Sequence, residues 1–229
     1  MRDINIGNVI IWFIAFLFSL SFHESAHAWT SEKFGDDTGR IQGRITLNPL
    51  PHIDPIGTIV FPLLMIFTSI PLLGWAKPVE TNPLMWRDKT KANISVSAAG
   101  PISNFILVVI TFIIVKVLLI SGNLFLAGQL PYALVIPAPG QPAFMEPLAV
   151  LLSVMLMLNV ALGVFNLIPI PPLDGSHVLE SILPYEMAQA YAQIRPYGFL
   201  LLIGCLYLGV FSAIFFPIFR VVWTLLQIT

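Results

Sequence analysis

The chain has 229 residues, 57% of them hydrophobic and only 10% charged, with a net charge of −1 and a mean hydropathy of +0.87. Soluble domains carry about 25% charged residues, so the composition excludes a soluble enzyme and points to a chain that lives in a lipid bilayer. There is no basic excess to suggest nucleic acid as a partner. The single cysteine, Cys205, excludes an intrachain disulfide and a cysteine-based zinc site.

The first predicted element is an apolar helix over 6–29, long enough to span a bilayer. Arg2, the apolar run and "AHA" at 26–28 mimic a cleavable signal peptide. Glu24 at the would-be cleavage region and the further spans downstream favour a retained membrane helix. This helix ends in "SFHESAHAWT", which holds His23, Glu24 and His27. An ionisable residue inside a membrane is expensive and is by default functional. The pattern is H-E-x-x-H. On a helix, positions i and i+4 share a face, so His23 and His27 can bind one zinc ion, and Glu24 can act as general base toward metal-bound water. In random order this composition gives the pattern about 0.002 times, so chance is a poor explanation.

The segment 40–53, "RIQGRITLNPLPHI", reads as short β structure or loop, and 74–83, "GWAKPVETNP", as extended chain. Between them, 56–73 is apolar but interrupted by prolines. Further spans are predicted at 94–120, 147–167 and 197–216. Residues 28–92 hold Lys33, Arg40, Arg44, Lys77, Arg87, Lys89 and Lys91, whereas 117–147 hold no Lys or Arg. The positive-inside rule therefore puts 28–92 on the cytoplasmic side and the His23–His27 motif in the cytoplasmic half. Lys116, near the outer end of its span, can snorkel to that interface.

A catalytic zinc site usually needs a third protein ligand. Asp174 in "NLIPIPPLDGSHVLE" is the strongest candidate. Pro169, Pro171 and Pro172 prevent regular helix there, and irregular backbone at membrane depth must be buried in protein or line a water-filled cavity. His177 and Glu180 are rival ligands, and His52 with Asp54 form a weaker pair suited to a turn. If Asp174 and the histidines meet, the chain between them crosses an even number of times. The spans 94–120 and 147–167 supply two crossings, so 56–73 is predicted to enter and return. The alternative is a third crossing, compensated in 120–136. "AAGPISNF" at 98–105 offers small residues for close helix approach. Its Asn104 suits either a scissile carbonyl and substrate backbone or an interhelical bond. Asn166 suits either bracing of the proline break or substrate binding, and Asn159 a helix–helix bond.

The order "HESAH", "AAGPISNF", "NLIPIPPLDG" resembles the site-2 protease family of intramembrane zinc metalloproteases. "GRITLNPLPHIDPIGT" and "GWAKPVETNP" look like its small prokaryotic branch, which lacks PDZ and CBS domains; residues 121–146 are too few for a PDZ domain. The resemblance covers about residues 8–185. It implies one zinc ion held by His23, His27 and Asp174, with Glu24 as catalytic base. It implies Asn104 and Asn166 on the substrate strand, and β structure from 40–53 and 74–83 near the site. The implied activity is endopeptidase cleavage within transmembrane segments of other proteins. The expected fold is an all-α polytopic membrane protein with about four to six transmembrane helices, a small membrane-associated β region and a re-entrant segment. It is expected to form one domain over 1–229, with a core at 6–185 and a C-terminal helix at 196–229. The expected setting is the cytoplasmic membrane of a prokaryote, with a transmembrane protein substrate and lipid as partners; a homo-oligomer is compatible with this. Two other readings are a zinc-binding membrane protein that transports or senses metal, and a catalytically silent relative that binds membrane segments.

Overall fold

A computed structural model describes residues 5–68, 74–127 and 133–228. Nine α-helices are described: α1 (Ile6–Lys33), α2 (Thr38–Ile41), α3 (Phe61–Thr68), α4 (Lys89–Ile120), α5 (Met145–Asn166), α6 (Asp174–Ile182), α7 (Tyr185–Ala192), α8 (Gly198–Tyr207) and α9 (Val210–Gln227). Four of them, α1, α4, α5 and α9, are long and apolar enough to cross a membrane. The chain is thus an all-α polytopic membrane protein with a small β region.

Helices α1, α4 and α5 pack against one another in all three pairings and form the core. Local chemistry sets their starts. Asn5 caps α1 by accepting the Asn8 N–H, and Asp88 caps α4 by accepting the Lys91 N–H at 3.0 Å. The outer end of α4 is tied to the end of α9. Lys116 Nζ donates to Leu226 O at 3.1 Å, and also to Leu225 O and Ile228 O. Lys116 thereby satisfies carbonyls that a helix C-terminus leaves unpaired.

The excursion after residue 54 returns on itself. A π-helical turn, Pro55–Val60, runs into α3, and Asp54 Oδ1 accepts the N–H groups of Ile56 and Gly57 at its start. Trp75 N–H then donates to Gly57 O, and Thr58 Oγ1 donates to Trp75 O at 2.8 Å. The Phe61 and Trp75 rings meet edge to face at 5.0 Å. Residues 58 and 75 therefore lie at one depth, whereas a full crossing would separate them by about 30 Å. This is the predicted re-entrant segment; residues 69–73 lie outside the described residues.

Three placements differ from expectation. The first is the β structure. Strands β1 (Leu124–Leu126) and β2 (Val135–Pro137) pair antiparallel, Phe125 opposite Ile136, at the far end of the core from the histidines. This also closes 120–136 as a hairpin and not a crossing, although 128–132 lie outside the described residues. Second, no strand is found in the described residues of 40–53 or 74–83. The prolines there supply no ladder donors, and the carbonyls of 77 and 78 go to the Arg44 guanidinium. Third, 197–216 is not one span. Gly209 adopts φ 75°, a left-handed turn that breaks the run into α8 and α9. The crossing helix is Val210–Gln227, and the C-terminal helix expected at 196–229 is a helix pair.

A buried carboxylate anchors the chain at the exit of α1. Asp36 accepts from Ser31 Oγ at 2.7 Å, Asn82 N–H at 2.8 Å, and both Thr38 N–H and Thr38 Oγ1. Burial raises its pKa, but these donors outweigh burial and hold the carboxyl below its ordinary value. A depressed folded-state pKa gives stability that is present above the unfolded value and lost as pH falls through the folded one. The thermal midpoint of the wild type in detergent is therefore expected to exceed that of Asp36→Asn at neutral pH. That margin should close below about pH 4, the ordinary carboxylate range. An unchanged margin at acid pH would refute this role.

Candidate metal centre

The motif helix places His23 and His27 on its inward face, nearly buried, with their Nε2 atoms 3.0 Å apart. Asp174 Oδ2 lies 3.2 Å from His23 Nε2 and 3.4 Å from His27 Nε2. These three form the one group of metal-competent ligand atoms found among the described residues. Tetrahedral zinc with bonds of about 2.0–2.1 Å places neighbouring ligand atoms about 3.3 Å apart. The observed separations fit that geometry.

The other ring nitrogens explain why this cluster calls for a cation. His23 Nδ1 lies 2.7 Å from Asn104 Oδ1, and His27 Nδ1 lies 2.6 Å from Val96 O. Both partners are acceptors, so each Nδ1 carries its hydrogen, the tautomer in which Nε2 offers its lone pair inward to a metal. Asp174 Oδ2 is buried and has no hydrogen-bond donor. Two lone pairs and an anionic oxygen thus converge on one point, an arrangement that a divalent cation satisfies.

Asp174 reaches this point because the proline run ends α5 and α6 begins at the aspartate itself. The break is braced: Tyr191 OH donates to Pro169 O at 2.9 Å, and Leu173 packs with Leu202 and Phe211. Helix α4 approaches from the other side through Gly100. A Cβ there would lie 2.4 Å from His27 Nε2 and 2.5 Å from His23 Nε2. Sequence reading saw only small residues at this position. The further signal was that Gly100 sits one helical turn before Asn104, on the same face.

The family model described as Peptidase family M50 matches residues 11–204. The chain belongs to peptidase family M50. Among its curated relatives, "Putative zinc metalloprotease YwhC" of Bacillus subtilis (strain 168) is 36% identical, over 82% of this chain and 75% of the relative. "Putative zinc metalloprotease Rip2" of Mycolicibacterium smegmatis is 30% identical, over 93% of this chain and 73% of the relative. The protein of the same name from Mycobacterium tuberculosis (strain H37Rv) is 28% identical over 86% of this chain and 66% of its own length. No solved structure matches the chain. The motif-based resemblance and the family assignment agree, and the protein is a membrane zinc protease by family.

Within this M50 chain, Glu24 is nearly buried beside the ligands, and its Oε2 accepts the Val79 N–H at 2.9 Å. The rival ligands lie elsewhere. Glu180 pairs with Arg195, and His177 lines a separate polar cleft with Glu180 and Asn93. Asp54 caps the π-helical turn. His52 is buried with its Nε2 on Thr46 O at 3.1 Å. Burial, aided by the Arg44 charge, pulls its pKa below the ordinary value in spite of that bond, so the ring is neutral at pH 7.

Asn104 lies behind His23. It is fully buried, with Oδ1 on His23 and Nδ2 donating to Asn159 Oδ1 at 2.9 Å. Asn159 in turn donates to Ser19 Oγ and to Met155 O. Both ends of the Asn104 amide are therefore engaged by side chains in this structure. Asn166, half-buried at the last position of α5, donates to Leu162 O of its own helix. Removing the acceptor in Asn104→Leu should weaken metal binding about 10–100-fold, the usual cost of losing the partner of a histidine ligand. Competition with a chromogenic chelator measures this; unchanged affinity would contradict the orienting role.

Proposed function

We propose that the protein is a zinc-dependent intramembrane endopeptidase that cuts peptide bonds within transmembrane segments of other proteins. The observation that carries this reading is the convergence of Asp174, at the start of α6, on His23 and His27, with Glu24 alongside, in a helix long and apolar enough to cross a membrane. His23 lies ten residues, about 15 Å, before the end of α1 at Lys33. That depth suits a scissile bond below the membrane surface in the cytoplasmic half.

One zinc ion per chain fits the ligand set; when bound, it would polarise the scissile carbonyl and lower the pKa of coordinated water toward about 7. Glu24 then takes the proton from the attacking water and passes it to the leaving amide nitrogen. Asn104 and Val96 keep the two imidazoles in the tautomer that leaves Nε2 inward. Asn166, near the break that carries Asp174, is the half-buried amide placed to contact substrate backbone. Water reaches the site from the cytoplasmic face. The substrate is a transmembrane protein delivered laterally from lipid, and a homo-oligomer is compatible with this arrangement.

The test is metal removal. Stripping zinc from the purified protein in liposomes with a strong chelator should abolish cleavage of a co-reconstituted single-pass substrate. One equivalent of zinc should restore it. Cleavage that survives complete metal removal would overturn the proposal.

A further inference from the structure

Glu24 is not left to orient itself. The residue after it, Ser25, donates from Oγ to Thr46 O and accepts the Thr46 N–H at 3.2 Å, which fastens the segment following α2 to the motif helix. Two residues earlier in that segment, Arg44 is 4% exposed. Its Nη2 donates to Lys77 O at 3.0 Å and to Pro78 O at 2.6 Å, and its Nη1 donates to Pro51 O. Lys77 N–H donates to His52 O at 2.9 Å. Pro78 has no N–H, so the next donor along this strap is Val79 N–H, the group that meets Glu24 Oε2 at 2.9 Å.

We propose that Arg44 and the Val79 backbone N–H are positioning groups for Glu24: Arg44 fixes the strap, and the Val79 N–H pins Oε2 so that Oε1 is turned to the reaction. The inference rests on the reading of Glu24 as base. Its physical basis is geometric. The terminal torsion of a glutamate is broad, and a misplacement of about 1 Å at a reacting group can cost 10²-fold in rate. A guanidinium that gathers three carbonyls makes the strap rigid in a way that an ammonium, a point charge without the planar fork, does not.

The cleanest probe removes one hydrogen. Val79→Pro deletes the donor, whereas Val79→Ala keeps it. In reconstituted full-length protein, Val79→Pro should lower kcat by about 10–100-fold, with KM and zinc content unchanged, while Val79→Ala stays near wild type. Arg44→Lys should lower kcat in the same sense. Combined with Val79→Pro it should add nothing further, because both act through one N–H. A second readout needs no turnover. The infrared carboxylate band that disappears in Glu24→Gln should shift in Val79→Pro and in Arg44→Lys, but not in Val79→Ala. If Val79→Pro fails to fold, Arg44→Lys carries both measurements. An unshifted band, equal kcat for Val79→Pro and Val79→Ala, or a rise in KM at constant kcat would each overturn the positioning role. Full activity in Glu24→Gln would instead overturn the base reading beneath it.

Discussion

Glu24→Gln is expected to bind zinc as the wild type does and to lose about 10²–10⁴-fold in cleavage rate, the usual contribution of a positioned general base. The amide keeps the size of the side chain and an oxygen that can still accept the Val79 N–H, so the strap should remain in place. It cannot take up a proton at that site. The metal ligands are untouched, since Glu24 is not among the atoms that converge on the centre. Metal analysis and a cleavage time course on the same preparation separate the two effects. Loss of zinc along with activity would make Glu24 a structural or ligating residue. Full activity would remove it from the mechanism.

Gly100→Ala is expected to be nearly as damaging, by a different route. The added Cβ would lie 2.4–2.5 Å from the two Nε2 atoms, in the space that a metal ion needs. The rings cannot simply swing aside, because each is held at Nδ1 by Asn104 or Val96. Either α4 moves away from α1, which loosens the packing of the core, or the imidazoles turn and lose their convergence. Forcing an extra methyl into a packed interface costs about 1–3 kcal/mol. Zinc affinity should fall by about two orders of magnitude, at the upper end for disrupted ligand orientation. Isothermal titration of the stripped protein with zinc measures this. Wild-type affinity in Gly100→Ala would mean that the close approach of α4 plays no part in the site.

The chemistry of the site was legible in the sequence because it is local. H-E-x-x-H sets two histidines and a glutamate on one helix, and three prolines before Asp174 mark a break that can bring a carboxylate to the same depth. Residues 58 and 75 meet, which matches the re-entrant course and not the alternative of a compensated third crossing. What escaped sequence reading depends on partners distant in the chain. The Arg44 guanidinium gathers carbonyls from residues 51, 77 and 78, and no local pattern announces that it would deny them to a β ladder. On sequence alone Asn104 suited a substrate or an interhelical bond, and its 2.7 Å approach to His23, eighty-one residues away in the chain, had no local signal. The split of 197–216 into α8 and α9 turns on one positive φ at Gly209, to which hydropathy is blind.

These contacts also show why the site is built at a three-helix junction. Helix α1 supplies His23, His27 and Glu24, α4 supplies the acceptors for both imidazoles and the glycine that lets it come close, and the break after α5 brings Asp174, the first residue of α6, to them. The ligand atoms come from α1 and the start of α6, and α4 holds both imidazoles from behind. Loosening any one of them should therefore affect metal binding before it unfolds the chain.

The most direct measurement is the position of the cut. Purified protein, loaded with one zinc per chain, is reconstituted with a single-pass membrane substrate, and the fragments are mapped by mass spectrometry. The account predicts new termini inside the substrate's hydrophobic span, toward its cytoplasmic half, and none when Glu24→Gln protein is used. Termini only in the soluble flanks, or no cleavage by the zinc-loaded wild type, would contradict it.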